Sequence, residues 1–353
     1  MKTMNASVWF ALGAAGLFGL STPLAKLLGG EVPPVLLGGL LYLGSGIGLL
    51  LLRLLRDRGW SRSGLQRGEW PWLLGAILFG GLLGPVALMF GLARSSGSTA
   101  SLLLNLEAVL TALIAWIAFR ENADRRVVLG MVAIVAGGLL LSWRVGSETG
   151  AGDWSGLLAI AAACLCWAID NNLTRKVSAS DAVFIAGSKG LIAGSVNCLL
   201  ALALGATMPA LDTVALTMLV GLLGYGISLV MFVLALRGLG TARTGAYFST
   251  APFIGAAISL VVLGESVSPL FWASCALMAC GVWLHLSERH EHEHAHEPLE
   301  HSHRHVHDEH HQHAHGLDWD GSEPHEHRHR HEPITHSHPH YPDIHHRHEH
   351  QQT

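Results

Sequence analysis

Histidine is missing from the first 284 residues of this 353-residue chain; all 24 histidines lie at or beyond His285. Charge is scarce as well. Asp, Glu, Lys and Arg make up 14% of the residues, against roughly 25% in soluble domains. The histidine-free part holds no Gly-Lys-Ser/Thr phosphate loop, no hydrolase nucleophile elbow and no zinc-protease helix motif, which argues against an enzyme. Its five cysteines (Cys164, Cys166, Cys198, Cys275, Cys280) all fall inside apolar stretches. Neither the Cys-x-Cys pair nor the spaced pair near the end matches a zinc arrangement, so they read as small apolar side chains.

What is present divides the chain in two. Up to Ser287 there are 17 Lys/Arg and 12 Asp/Glu, a net of +5; from Glu288 onward there are 5 and 14, a net of −9. The first part is a series of stretches long enough to cross a bilayer, which takes about 20 residues as a helix. They run over 7–28, 35–55, 72–93, 98–119 and 127–143. After a polar linker, 145–153, they resume over 154–173, 182–204, 214–236, 244–263 and 269–286. A soluble helical protein would show a polar stripe at helical spacing, which these stretches lack. Within lipid every backbone N–H and C=O must be paired internally, so such stretches must be helices. The first is too long for a signal peptide, holds Lys26 near its far end and lacks a clear cleavage site, so it is expected to remain.

Orientation follows from the cations. With the amino terminus in the cytoplasm, that side receives Lys2, Arg53, Arg56, Arg58, Arg62, Arg67, Arg120, Arg125, Arg126, Arg175, Lys176, Arg237 and Arg243. The other side has Arg94 and Arg144, with Lys26 at a helix end. This is the asymmetry of the positive-inside rule. Ten crossings bring the carboxyl terminus back to the cytoplasm, across a bacterial inner membrane.

The ten spans read as one five-helix unit written twice, residues 1–144 and 154–287. Gly97-Ser98-Thr99-Ala100 opens the fourth span and Gly240-Thr241-Ala242-Arg243 precedes the ninth. The fourth leads to Phe119-Arg120-Glu121 and the ninth to Leu263-Gly264-Glu265. Leu24-Ala25-Lys26 and Thr174-Arg175-Lys176 close the first span of each half. Because five is odd, the two copies have opposite topology. Inverted repeats with a midplane substrate site between them are a recurring plan of secondary transporters.

These halves, the Arg-Glu and Gly-Glu endings of the fourth and ninth spans, and the run Leu104-Asn105-Leu106-Glu107 resemble the drug/metabolite transporter superfamily, EamA type, over about Asn5 to Leu286. The resemblance implies transport of small metabolites, often export, by alternating access. One departure stands out. The ninth span carries the family-like Pro252, where the fourth has Glu107-Ala108.

Ionisable groups deep in a bilayer cost about 2.5–3.5 kcal/mol each and are functional candidates by default. Glu107 falls near the middle of the fourth span, Lys189 about two turns into the seventh, and Asp170 with Asn171 and Asn172 nearer the end of the sixth. In the functional reading Glu107 carries a proton or cation, or clamps a substrate amine, and Lys189 meets a substrate carboxylate. In the competing reading Glu107 and Lys189 pair with each other, and Arg175 and Lys176 neutralise Asp170. Asn105 and Asn197 are expected to bond across helix interfaces. Pro23, Pro85 and Pro252 are expected to kink or open helices.

The tail, residues 288–353, has too few large apolar residues to bury a core and reads as disordered. It contains its own repeat: His296-Glu297-Pro298-Leu299 recurs as His331-Glu332-Pro333-Ile334. Each copy is followed by a His-Ser-His, an Asp, a His-His pair and a His-x-His-x-His. Imidazole favours Zn, Ni, Co and Cu ions. The candidate ligands are His301, His303, His305, His307, His310, His311, His313 and His315 in the first copy, and His336, His338, His340, His345, His346, His348 and His350 in the second. Asp308 and Asp343 are possible oxygen donors. No cofactor is required.

The expected function is secondary transport, in the export direction, of a small polar organic metabolite, with a metal-binding cytoplasmic tail. The alternative is a transition-metal exporter that uses the tail to collect ions; the absence of histidine in the spans counts against it. A third reading is a metal store whose helices only anchor it, against which stand the repeat and the buried charges. Expected partners are the small-molecule substrate, the lipid bilayer and divalent metals at the tail. Nucleic acid is not among them, and a homodimer is compatible with this plan.

Overall fold

The computed structural model describes residues 2–61, 63–119, 125–142, 154–177 and 180–286, and in the tail 291–295, 300–305, 325–330 and 335–339. The first half of the chain comprises α1 (Lys2–Leu28), α2 (Pro34–Arg56), α3 (Trp70–Ala76), α4 (Gly84–Ala93), α5 (Gly97–Leu103), α6 (Leu106–Phe119) and α7 (Arg125–Ser142). The second comprises α8 (Trp154–Arg175), α9 (Ala182–Ala203), α10 (Leu211–Gly221), α11 (Ser228–Phe248), α12 (Ala251–Val262) and α13 (Pro269–Leu286).

Seven of the described continuous stretches are long and apolar enough to cross a bilayer: Ala6–Leu28, Pro34–Arg56, Arg67–Ala93, Gly97–Ile114, Trp154–Arg175, Ala182–Ala203 and Leu211–Ala235. Three shorter apolar helices, Val128–Ser142, Ala251–Val262 and Pro269–Leu284, stand where further spans are expected. Large apolar side chains cover the outside of the bundle: Leu55 is 76% exposed, Leu139 66%, Leu199 67% and Val261 83%. Water-soluble monomers rarely expose contiguous apolar patches beyond a few hundred Å²; lipid is the solvent this surface fits. The chain is a multi-pass membrane protein.

Several elements are broken where unbroken helices are expected, and the breaks recur. A π-helical segment, Ile77–Leu83, joins α3 to α4, and another, Leu222–Ile227, joins α10 to α11. The fourth span is interrupted at Leu104–Asn105, and the helix is interrupted again at Ser249–Thr250. Leu222 follows Ile77 by 145 residues, and Ser249 follows Leu104 by 145. Pro85 lies in the first turn of α4 and Pro252 in the first turn of α12; a ring nitrogen cannot donate to the preceding turn, so each marks a restart. The loop expected over 237–243 is instead helical, and α11 runs through it to Phe248.

The two halves meet most closely where α2 crosses α9. A Cβ added at Gly46 would lie 2.1 Å from the amide nitrogen of Leu191, and one at Gly190 would lie 2.4 Å from that of Gly46. Backbone therefore lies on backbone, the close approach that small residues permit between membrane helices. This contact fixes the position of Tyr42 on α2 and Lys189 on α9, both buried.

The tail, expected to lack regular structure, holds four short strands: β1 (Glu291–Ala295), β2 (Glu300–His305), β3 (His325–Arg330) and β4 (Thr335–Pro339). β1 pairs with β4 and β2 with β3, both antiparallel. Ladder hydrogen bonds need no apolar core, only a partner for each amide. The rest of the tail lies outside the described residues.

Candidate functional site

The break at Leu104–Asn105 places Glu107 in the first turn of α6, where the partial positive charge of a helix start favours a carboxylate. Glu107 is only part-buried. It accepts a hydrogen bond from Asn171 Nδ2 at 2.8 Å, and the same nitrogen lies 3.5 Å from Thr111 Oγ1. Asn172, one residue on, donates to the carbonyls of Ala168 and Thr111, at 2.9 and 3.3 Å. These bonds fasten α8 to α6 on either side of the carboxylate.

Lys189 does not pair with Glu107. Its Nζ lies 2.6 Å from each carboxylate oxygen of Asp170, with Thr174 Oγ1 at 3.4 Å, and Thr174 also donates to Asp170 at 2.8 Å. The expected partners of Asp170 lie beyond it, Arg175 at the end of α8 and Lys176 just after it, past the buried turn that carries Asp170 and Thr174. Lys176 instead sits 6.0 Å from the Trp72 ring. Proximity along the helix suggested Arg175 and Lys176, but the face of α8 that meets α9 selected Lys189. Among the described residues no ion pair reaches Glu107.

Aromatic residues that sequence reasoning missed surround these charges. Tyr42 Oη and Trp167 Nε1 both donate to the carbonyl of Gly80, at 2.7 and 3.0 Å. Gly80 lies in the first π segment, a geometry that recurs at functional sites. A Cβ on Gly80 would fall 1.9 Å from Asp170 Oδ2, so only glycine fits there. The Phe18 ring stands edge-on to Trp167 at 5.9 Å and to Tyr225 at 5.8 Å, and Tyr225 lies 5.3 Å from Tyr42. One signal was available: the chain has four tyrosines, and two of them meet here. Chemically, the cluster offers an uncompensated carboxylate, an amide that can turn to a bound solute, and ring faces that attract a cation. It also offers a base whose charge is already taken up by Asp170.

Asn105 reaches across an interface only to sulfur, its Nδ2 lying 4.0 Å from Met278 Sδ on α13; the same nitrogen donates to Leu102 O in the preceding turn at 3.0 Å, and among the described residues its Oδ1 is buried without a partner. Asn197 does reach across, toward Gly81 O at 3.4 Å. A groove between α12 and α13, lined by Phe253, Ile254 and Trp283 among others, is almost wholly apolar and offers a solute no charge.

The two ends of the bundle differ. At one, Asp181 caps α9 by accepting from the amides of Val183 and Phe184, and it holds Arg53 at 3.1 Å and Arg56 at 2.6 Å. At the other, Glu265 accepts from the amides of Gly97 and Ser98, at 2.6 and 2.9 Å. Glu121, its counterpart in the repeat, lies outside the described residues.

Of the expected metal ligands, the backbone is described for His301, His303, His305, His336 and His338 only. Register sets His301 opposite His329, His303 opposite His327, and His305 opposite His325; in the other ladder His336 faces His294 and His338 faces His292. His307, His310, His311, His313, His315, His340, His345, His346, His348 and His350 lie outside the described residues, as do the side chains of the whole tail.

Known proteins place this architecture. A solved crystal structure of a protein 22% identical in sequence superposes with a TM-score of 0.61, covering 79% of this chain and 94% of that one, which shows a shared fold. An uncharacterized transporter of Methanothermobacter thermautotrophicus is 27% identical over 288 residues, covering 76% of this chain and 82% of that protein. The pattern of the EamA-like transporter family matches twice, over residues 5–143 and 154–287. Two matches that together span the whole helical part leave one assignment: this chain belongs to the EamA-like transporter family.

Proposed function

We propose that the protein is a secondary transporter that exports a small polar organic metabolite by alternating access, with Glu107 as the group that carries a proton or engages a cationic part of the solute. The observation that carries this reading is the charge balance of the central cluster. Two acids share one base, the base is bound to Asp170, and among the described residues Glu107 is left part-exposed with Asn171 as its hydrogen-bond donor and no cation beside it. A charge kept in the middle of a bundle without a counter-ion is costly unless it titrates or exchanges partners during a cycle. Lys189 accordingly serves the scaffold, and a solute carboxylate meets Asn171 in its place. Positive residues favour the Arg53 end as cytoplasmic, with both termini on that side of a bacterial inner membrane. The histidine tail binds Zn, Ni, Co or Cu ions and senses or buffers them.

Vesicles prepared from cells with the full chain, a chain ending at Leu286, and Glu107→Gln test this reading. Metabolite transport that survives removal of the tail but is lost in Glu107→Gln supports it. Transport of Zn²⁺ or Ni²⁺ that depends on the tail would replace it with metal export.

A further inference from the structure

Between α4 and α5 the chain breaks at Arg94–Ser96, and every backbone group freed by a helix break needs a partner. Here the partners come from far along the chain. Lys26 at the end of α1 donates to the carbonyls of Leu92 and Ser95. Ser96 accepts from the amide of Thr99, and Glu265, in the loop after α12, takes the amides of Gly97 and Ser98. A cation thus sits at the end of one helix and an anion at the start of the next, each on the favourable side of the helix dipole. Glu265 belongs to the second half and Gly97 to the first, so its two bonds bridge the halves.

Below this bridge, α5 and α12 lie against each other with polar atoms left over. Among the described residues, Ser101 Oγ on α5 and Ser259 Oγ on α12 are buried and have no hydrogen-bond partner, and neither has Asn105 Oδ1 in the break just after α5. A Cβ at Gly97 would lie 2.9 Å from Ser259 Oγ, and one at Gly255 would lie 2.8 Å from Ser101 Oγ. The two helices are therefore packed closely around these hydroxyls. Among the described residues the other two such atoms, Tyr225 Oη and Thr244 Oγ1, belong to the second π segment and to α11. Permanent interfaces leave very few buried polar groups unpaired. Two facing each other across one seam, with a third at the break beside it, suit a contact that opens and is then hydrated. In the other half, the stretch one repeat away from the break lies inside the unbroken α11, so the two ends of the bundle differ in form.

We propose that the α5–α12 seam is the gate at the Glu265 end of the transport path, and that Glu265 is the latch holding it shut. The inference rests on the transport reading, and it assigns to Glu265 a positioning role at a distance from Glu107. Opening detaches the carboxylate from the amides of Gly97 and Ser98 and brings water to Ser101, Asn105 and Ser259 on the way to Glu107.

Thiol labelling of the full chain in liposomes tests this without knowing the solute. A cysteine at position 101 (Ser101→Cys) is exposed to a membrane-impermeant maleimide, and the chain without that substitution supplies the baseline of the native cysteines. Ser101→Cys should label slowly with Glu265 in place. Glu265→Gln should raise the rate by about tenfold or more, since two charge-assisted hydrogen bonds become neutral or are lost. Glu265→Asp keeps the charge but withdraws it by one methylene; it should also speed labelling, and it gives the reading if the glutamine variant does not assemble. Unchanged labelling in an assembled variant overturns the latch and leaves the transport reading standing. Faster labelling in a protein that moves no solute would keep the latch and remove the transport reading.

Discussion

Lys189 on α9 grips both carboxylate oxygens of Asp170 on α8 at 2.6 Å, with each side chain under 10% exposed. The pair closes on itself, and Thr174 completes it. Glu107 is thereby separated from the base that its position in the sequence suggested, and the two acids of the cluster divide into one structural and one available group.

That division predicts opposite phenotypes. Lys189→Met or Asp170→Asn strands a buried charge and should destabilise the protein by about 3–5 kcal/mol. The double variant should regain most of that loss. Glu107→Gln keeps the acceptor for Asn171, so its melting temperature in detergent should stay near that of the parent while transport is lost. Equal stability in all four would remove the ion pair as a scaffold.

At the α2–α9 crossing, Gly46→Ala should be more damaging than its one added carbon suggests. The new Cβ would fall 2.1 Å from Leu191 N, against backbone that cannot rotate away. Overpacking of this kind costs about 1–3 kcal/mol, and a lower melting temperature with a smaller yield of monodisperse protein is the expected result. Gly68→Ala, where an added Cβ meets nothing within 4 Å, should be neutral and serves as the control.

The Arg53 end should respond to acid. Hydrogen bonds from Arg56 and Ser61 hold the Asp57 carboxyl down at about 2. Burial works against ionisation of Asp181, but hydrogen bonds from Arg56 and Arg53 prevail and keep it below the usual carboxylate range. Both groups bind protons less readily folded than unfolded, where an aspartate titrates near about 3.9. Their stabilisation is therefore complete above about pH 5 and is lost as pH falls through about 4 toward 2. The melting temperature in detergent should be flat from about pH 7 to 5 and drop below 4, and less steeply in Asp181→Asn.

Topology is open to a direct measurement. A reporter active only in the cytoplasm should work when fused after Leu286, and one active only outside should work at Gly150. The reverse pattern would exchange the two ends and put the histidine tail outside the cell.

The full chain should bind several Zn²⁺ or Ni²⁺ ions, and a chain ending at Leu286 few or none. Affinity should fall between about pH 7 and 5, because imidazole protonated below its pKa of about 6.5 cannot ligate metal. Calorimetry at the two pH values reads both effects; affinity that ignores pH would exclude histidine as the ligand.

The order of residues is enough to read a membrane bundle, where most of its helices run, which residues are charged within them, and that the histidines are confined to one end. Hydropathy is a local quantity, the cost of moving each residue into lipid, and it adds along the chain without reference to neighbours in space. Which side chains meet is a property of the folded bundle. Asp170 and Lys189 are 19 residues apart, Asn171 and Glu107 are 64 apart, and Glu265 reaches Gly97 across 168. Which of these pairs forms depends on which helix faces touch, and that is set by backbone contacts such as Gly46 on Leu191. The breaks at Leu104–Asn105 and in the two π segments were hidden for the same reason. Asn105 apart, their residues are as apolar as those of an unbroken helix, and the packing around them settles where a carbonyl turns outward to meet Tyr42 and Trp167.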